Sequence, residues 1–187
     1  MRRNPWLSLA VLAFAQFMVV LDVTIVNVAL PSIQTNLAFS TDGLQWVVSA
    51  YTLMFGGFLL LGGRVADLFG RRRLFIVGLA LFSGASLVAG LSGSAAMLIA
   101  ARAVQGLGGA LLSPAALSLL TVTFPQGSER HVALGIWGAL AGIGGTLGVV
   151  AGGLLVDGIG WEWVFFVNVP IGLALIALGP RLIVESR

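Results

Sequence analysis

The chain has 187 residues, of which 58% are hydrophobic and 9% charged. A soluble domain carries about a quarter charged residues, and a globule this small cannot hide so much apolar surface from water. The composition therefore excludes a soluble globule and a disordered chain, and the absence of cysteine excludes a disulfide scaffold. The net charge of +3 comes from ten basic residues, all arginine, so their positions carry more information than their sum.

Six apolar runs are long enough to cross a bilayer as helices: residues 6–30, 44–61, 74–91, 97–120, 133–156 and 161–179. Barrel strands would be about ten residues long and strictly alternating, which these runs are not. Arg2 and Arg3 precede the first run as in a signal peptide, yet its apolar stretch is too long and five more follow. A retained first span is expected. Within it, Asp22 lies deep in the apolar stretch, with Gln16 and Asn27 as further polar groups and candidates to line a cavity. Thr24 reads better as a helix-to-helix hydrogen bond than as a ligand contact.

The turn after the second span carries Gly63, Arg64, Asp67, Gly70, Arg71, Arg72 and Arg73. Asp67 is placed to cap a neighbouring helix start and to pair with Arg71, a latch that opens when helices separate. The fourth span holds the second intramembrane charge, Arg102, with Gln105 one turn on and Pro114 as an expected bend. Asp22 is eight residues before Leu30, about 12 Å of helical rise, and Arg102 is five after Met97, about 8 Å. Because the two spans run in opposite directions, both charges fall in the same half of the membrane and can meet. A charge at mid-membrane costs about 2.5–3.5 kcal/mol on insertion scales, so each should face protein or a wet cavity. Burial disfavours an ionised carboxylate and a neighbouring cation favours it, so such an acid can exchange its proton as a cavity opens and closes. A fixed ion pair joining two helices is the simpler alternative.

The polar loop before the fifth span holds the lone His131 beside Arg130, read as solvated. The fifth span carries Gly138, Gly142, Gly144, Gly148, Gly152 and Gly153, and the four-residue spacings 138/142 and 144/148/152 leave faces that let another helix approach closely. The sixth span opens with Trp161 and Trp163, and all five tryptophans are expected near span ends.

With six spans, both termini share one side. That side collects Arg2, Arg3, Arg64, Arg71, Arg72, Arg73, Arg130, Arg181 and Arg187, against Asp42, Asp157 and Glu162 on the other. The bias places both ends in the cytoplasm of a plasma (inner) membrane, and it accounts for the positive charge without nucleic acid. A second regularity is internal. Residues 62–70 and 152–160 both read GGxxxDxxG, 90 positions apart, after the second and fifth spans. Three spans separate the copies, so they fall on opposite sides, as inverted three-helix repeats require. The expected fold is an all-α integral membrane bundle of six helices, residues 1–187, with repeats over about 6–91 and 97–179.

Five stretches in order resemble the major facilitator superfamily, and within it the fourteen-helix drug:proton antiporters. They are residues 21–31 with Asp22, Asn27 and Pro31; Gly63 to Arg72; Leu98, Arg102, Gln105, Gly106, Gly108 and Ala110; Gly144, Gly148, Gly152 and Gly153; and Phe165 to Gly172. Leu68 stands where the loop motif usually has Arg, and Val149 where the helix-five motif usually has Pro. The resemblance implies the amino-terminal half of a proton-coupled efflux transporter of small lipophilic compounds, cations included, of the kind that confers antibiotic resistance. Asp22 and Arg102 would couple the proton, Gln16, Asn27 and Gln105 would line the substrate cavity, and Gly63, Asp67, Gly70, Arg71 and Arg72 would gate. Its partners would be the bilayer, the substrate and a carboxy-terminal half. Its energy source would be the proton gradient, with no cofactor and no metal. A metabolite transporter on the same scaffold, or a non-transporting membrane half, are the alternatives. One histidine and no cysteine supply no metal cluster or nucleophile–base set, so an enzyme is not expected.

Overall fold

The computed structural model describes residues 4–186, and among them every regular element is helical. The order is α1 (Pro5–Asn36), α2 (Thr41–Phe69), α3 (Arg71–Gly90), α4 (Ala95–Thr123), α5 (Ser128–Gly158), α6 (Trp163–Phe166) and α7 (Asn168–Leu182). Helices α6 and α7 form one sixth span, interrupted only at Val167, whose own backbone is helical. All six spans are long and apolar enough to cross a membrane.

The helices overrun the apolar stretches because polar residues cap them. Asn4 accepts from the Trp6 amide, Ser40 from Gly43 and Ser94 from Met97, each satisfying an amide that the first turn leaves free. α1 continues through Pro31 and α4 through Pro114. The two GGxxxDxxG stretches share a backbone solution. Each runs off the end of a helix, and the final glycines, Gly70 and Gly160, adopt φ of 105° and 116°. Glycine enters that left-handed region at no steric cost, which explains why both copies end on it.

α4 packs against α2, α3 and α1, while α1 packs against α5, α4 and α7. Glycines set the closest approaches. Gly106 and Gly62 bring the backbones of α2 and α4 together, and Gly78 and Gly108 do so for α3 and α4. On α5, Gly144, Gly148 and Gly152 lie against Phe17, Thr24 and Val28 of α1. Two parts of the expected glycine stripe do not belong to this seam. A side chain at Gly153, or at Gly138 and Gly142, would meet nothing within 4 Å. The reason is rotational: Gly153 follows Gly152 by about 100° of helix, so it turns off the α1 contact. α1, α3 and α4 are the more buried helices, and α2 and α5 leave apolar side chains such as Leu60, Leu68, Val149 and Leu154 exposed.

Candidate functional site

The two intramembrane charges meet. Arg102 Nη1 donates to Asp22 Oδ2 at 2.6 Å, and both side chains are almost wholly shielded from solvent. α1 carries the acid and α4 the base, and their crossing at equal depth is what brings them together. Neither charge is left with the other alone. Arg102 Nη1 also donates to Gln105 Oε1 at 2.7 Å, and Arg102 Nε donates to the Val47 carbonyl of α2 at 3.0 Å. Gln105 Nε2 donates to Asp22 Oδ1 at 2.8 Å, and Asn168 Nδ2 donates to the same oxygen at 2.9 Å. The Tyr51 ring lies against the guanidinium, 4.2 Å from centroid to Cζ, where a cation is attracted to the ring face.

The arrangement closes over five of the six spans. Asn168, at the start of α7, also donates to Ser86 Oγ of α3, and Ser86 donates to the Phe165 carbonyl. The buried charge pair is thus embedded in neutral donors and acceptors, as burial of an ion pair requires. Asn168, Ser86, Tyr51 and the Val47 carbonyl were not singled out as site groups by the sequence. Asn168 alone gave a usable signal. It lies seven residues past Trp161, about 10 Å of rise, a depth matching that of Asp22.

The cavity candidates fall in three different settings. Gln105 is fully buried and committed to the ion pair, because its position one turn from Arg102 puts its amide on the same face. Asn27 is exposed and donates to the Val23 carbonyl of its own helix, at 2.6 Å, the local bond that a short polar side chain finds most easily. Gln16 does line a cleft of about 690 Å³, together with Phe55, Leu59, Gly63, Pro114 and Trp137. Trp137, expected near a span end, lies nine residues into α5 and lines this cleft, which also carries Arg64 and Asp67 of the arginine-rich end. Thr24 bonds carbonyls of α1 and the Gly144 carbonyl of α5, the helix-to-helix role expected of it.

At the arginine-rich end, Arg71 donates to Asp67 Oδ1 from Nε at 3.0 Å and from Nη2 at 2.9 Å. Among the described residues Asp67 caps no helix. The amide of Arg72 in the first turn of α3 is instead satisfied by Glu185 Oε1, at 3.1 Å, from the segment after α7. The same segment accepts from the Arg71 amide through the Ser186 carbonyl and from Arg72 Nη1 through the Ile183 carbonyl. Glu185 Oε2 stands 3.6 Å from Arg72 Nε and 3.9 Å from Arg73 Nε. Asp67 near the end of α2 and Arg71 at the start of α3 meet across the Gly70 turn, and the pair forms without reaching the amides. Of the nine arginines assigned to this side, Arg2, Arg3 and Arg187 lie outside the described residues. His131 is exposed in the first turn of α5.

Residues 12–187 match the Major Facilitator Superfamily. The puromycin resistance protein pur8 of Streptomyces alboniger is 50% identical over 182 residues, covering 97% of this chain and 36% of the relative. The cephamycin export protein CmcT of Amycolatopsis lactamdurans is 46% identical, covering 96% and 37%. The tetracenomycin C resistance and export protein of Streptomyces glaucescens is 44% identical, covering 100% and 35%. The chain thus spans about a third of the length of these curated relatives. Among solved structures, a peptide transporter POT superimposes with a TM-score of 0.82 at 19% identity, over 92% of this chain and 37% of that one. The proton:xylose symporter XylE does so with a TM-score of 0.82 at 15% identity, over 95% and 44%. Those two share the fold and little sequence, whereas the antibiotic-resistance relatives share sequence over almost the whole chain. The chain belongs to the Major Facilitator Superfamily, a family of membrane transporters and not of enzymes.

Proposed function

We propose that this chain is the amino-terminal half of a proton-coupled exporter of small lipophilic compounds, working by alternating access against a carboxy-terminal half. The observation that carries the reading is the Asp22–Arg102 pair, buried between α1 and α4 and tied to α2, α3 and α7 by neutral hydrogen bonds. Replacing such a pair by apolar residues is often neutral or stabilising, so its presence is better explained by function than by stability. Protonation at an Asp22 oxygen removes the negative charge that holds Arg102. The guanidinium then keeps Gln105 Oε1, the Val47 carbonyl and the Tyr51 ring, and α1 is released from α4. Loss of the proton restores the pair. A proton thereby biases two arrangements of the interior helices, and both the proton and the substrate draw on the same equilibrium.

The resistance and export roles printed for the relatives favour a lipophilic drug as the cargo. The exposed apolar faces of α2 and α5 suit lipid or a second six-helix half, which the relatives' greater length supports. The arginine bias favours a plasma membrane setting with both ends cytoplasmic. The two GGxxxDxxG helix ends favour inverted repeats over about 6–91 and 97–179, in one bundle of residues 1–187. The test is Asp22→Asn in the complete carrier. Membrane insertion should be unchanged, and drug export driven by an imposed pH gradient in vesicles should fall to background. Undiminished export by this variant would remove Asp22 from the mechanism.

A further inference from the structure

Of the nine buried side-chain polar atoms without a hydrogen-bond partner among the described residues, four belong to residues around one opening. Gln16 Oε1, Tyr51 Oη, Ser113 Oγ and Trp137 Nε1 are all buried without a hydrogen-bond partner. These four residues line two adjoining clefts, of about 690 and 320 Å³, which share Gln16 and Phe55 as wall. Buried polar groups are ordinarily paired, so four orphans around one opening mark a surface that awaits partners. The combined space suits a drug-sized molecule.

The rest of the wall decides the chemistry. Tyr51 and Phe55 are stacked, 5.8 Å between centroids and 14° from parallel, and Phe55 is the aromatic ring common to both clefts, backed by Tyr51. The charged groups on the wall are Arg64 and Asp67 at the arginine-rich end, of opposite sign, and Asp67 is already held by Arg71. Asp22 is fully buried and lines neither cleft, with both of its oxygens occupied. A cation therefore finds no free acid along this wall.

We propose that the cleft binds a neutral, flat aromatic compound carrying both hydrogen-bond donors and acceptors, read by Gln16, Ser113 and Trp137 and stacked on the Phe55 ring. This rests on the export reading above and names its substrate class. It gives recognition to neutral groups and leaves the Asp22–Arg102 pair to the proton. Tyr51 joins the two, because its ring lies along the smaller cleft and against Arg102.

The test uses the complete carrier in liposomes and three probes in equilibrium dialysis. 2-Aminoanthraquinone is flat and neutral with a donor and acceptors, anthraquinone lacks the donor, and tetraphenylphosphonium is a cation without hydrogen-bonding groups. The expected order puts 2-aminoanthraquinone roughly tenfold or more tighter than tetraphenylphosphonium. Gln16→Leu, of similar volume, should weaken 2-aminoanthraquinone about tenfold and leave anthraquinone within about twofold. Trp137→Phe should weaken both quinones. Ser113→Ala, which removes one hydroxyl, should weaken 2-aminoanthraquinone about fivefold and serves where a larger change prevents folding. Equal loss of both quinones in Gln16→Leu, tighter binding of the cation, or no binding of any probe overturns the proposal. Asp22→Asn keeps the outcomes separate. If it exports normally while the probe pattern holds, the coupling reading falls and the cleft assignment stands. If it loses export while the probe pattern fails, the reverse follows.

Discussion

The molecule holds arginine–carboxylate contacts in two settings, and the same chemistry does different things in them. In the centre, Arg102 and Asp22 are at 2.6 Å with side chains 2% and 0% exposed, and every surrounding partner is neutral. At the arginine-rich end, Arg71 and Asp67 are at 2.9 Å with side chains 20% and 50% exposed, and Glu185 faces Arg72 and Arg73 at longer range. Coulomb attraction grows as water is excluded, but so does the cost of leaving either charge alone. The central pair is therefore an all-or-none element, whose loss is felt across five spans. The peripheral pairs are graded contacts that solvent and salt can tune.

The sharpest way to break this contrast is to remove one central charge. Arg102→Met leaves Asp22 buried without its cation and should destabilise the carrier by about 3–5 kcal/mol. Thermal unfolding of the purified carrier, followed by tryptophan fluorescence, measures it. The double variant Asp22→Leu/Arg102→Met should recover most of that loss while transport stays absent. Failure to recover would mean that the pair holds the helices together rather than serving the proton. Asn168→Ala should come next, at about 1–3 kcal/mol, since it takes one donor from Asp22 Oδ1 and leaves Ser86 Oγ without it. The same melting experiment reads it, and its loss should be largely insensitive to added salt.

How far each setting could be read from sequence follows from how its contacts are made. Asp22 and Arg102 stood out because a charge in a long apolar run has few bland explanations, and helical rise alone placed both at one depth. The six spans were legible for the same reason, apart from their ends, which capping residues such as Asn4 and Ser94 extend. Ser86 and Tyr51 were not legible. A serine or tyrosine within a helix is ordinary, and their roles arise only where α2, α3 and α7 close on α4. The glycine seam was legible in spacing and only partly in direction, since Gly153 and Gly152 are neighbours in sequence that face different ways. Glu185 was missed altogether. Its contact with α3 joins residues more than a hundred positions apart, at an end where a lone acid reads as a solvated tail.

Glu185 supplies the next smaller effect. It accepts from the Arg72 amide and faces two guanidinium groups, with its side chain 25% exposed. Glu185→Gln keeps an acceptor for the amide and removes the charge, so it should cost no more than about 1 kcal/mol. Glu185→Ala should cost about 1 kcal/mol more, because it also leaves the first turn of α3 uncapped. Added salt should shrink the loss in Glu185→Gln, since salt screens only the charge, and leave the further step to Glu185→Ala in place. The ratio of the two at high salt separates capping from ion pairing.

Asp67→Asn should be the smallest, within about 0.5 kcal/mol, as expected of a partly exposed surface pair. Its value lies in the kinetics. If the turn only decorates the membrane surface, export in the complete carrier should follow stability and barely change. If the turn is part of the moving seam, Asp67→Asn should change the rate of export several-fold with the melting temperature unmoved. Asp67 also stands at the mouth of the Gln16 cleft, where losing its charge frees Arg71. A rate effect that disappears when Arg71 is replaced as well would assign it to the pair. A rate effect that persists would assign it to the cleft mouth.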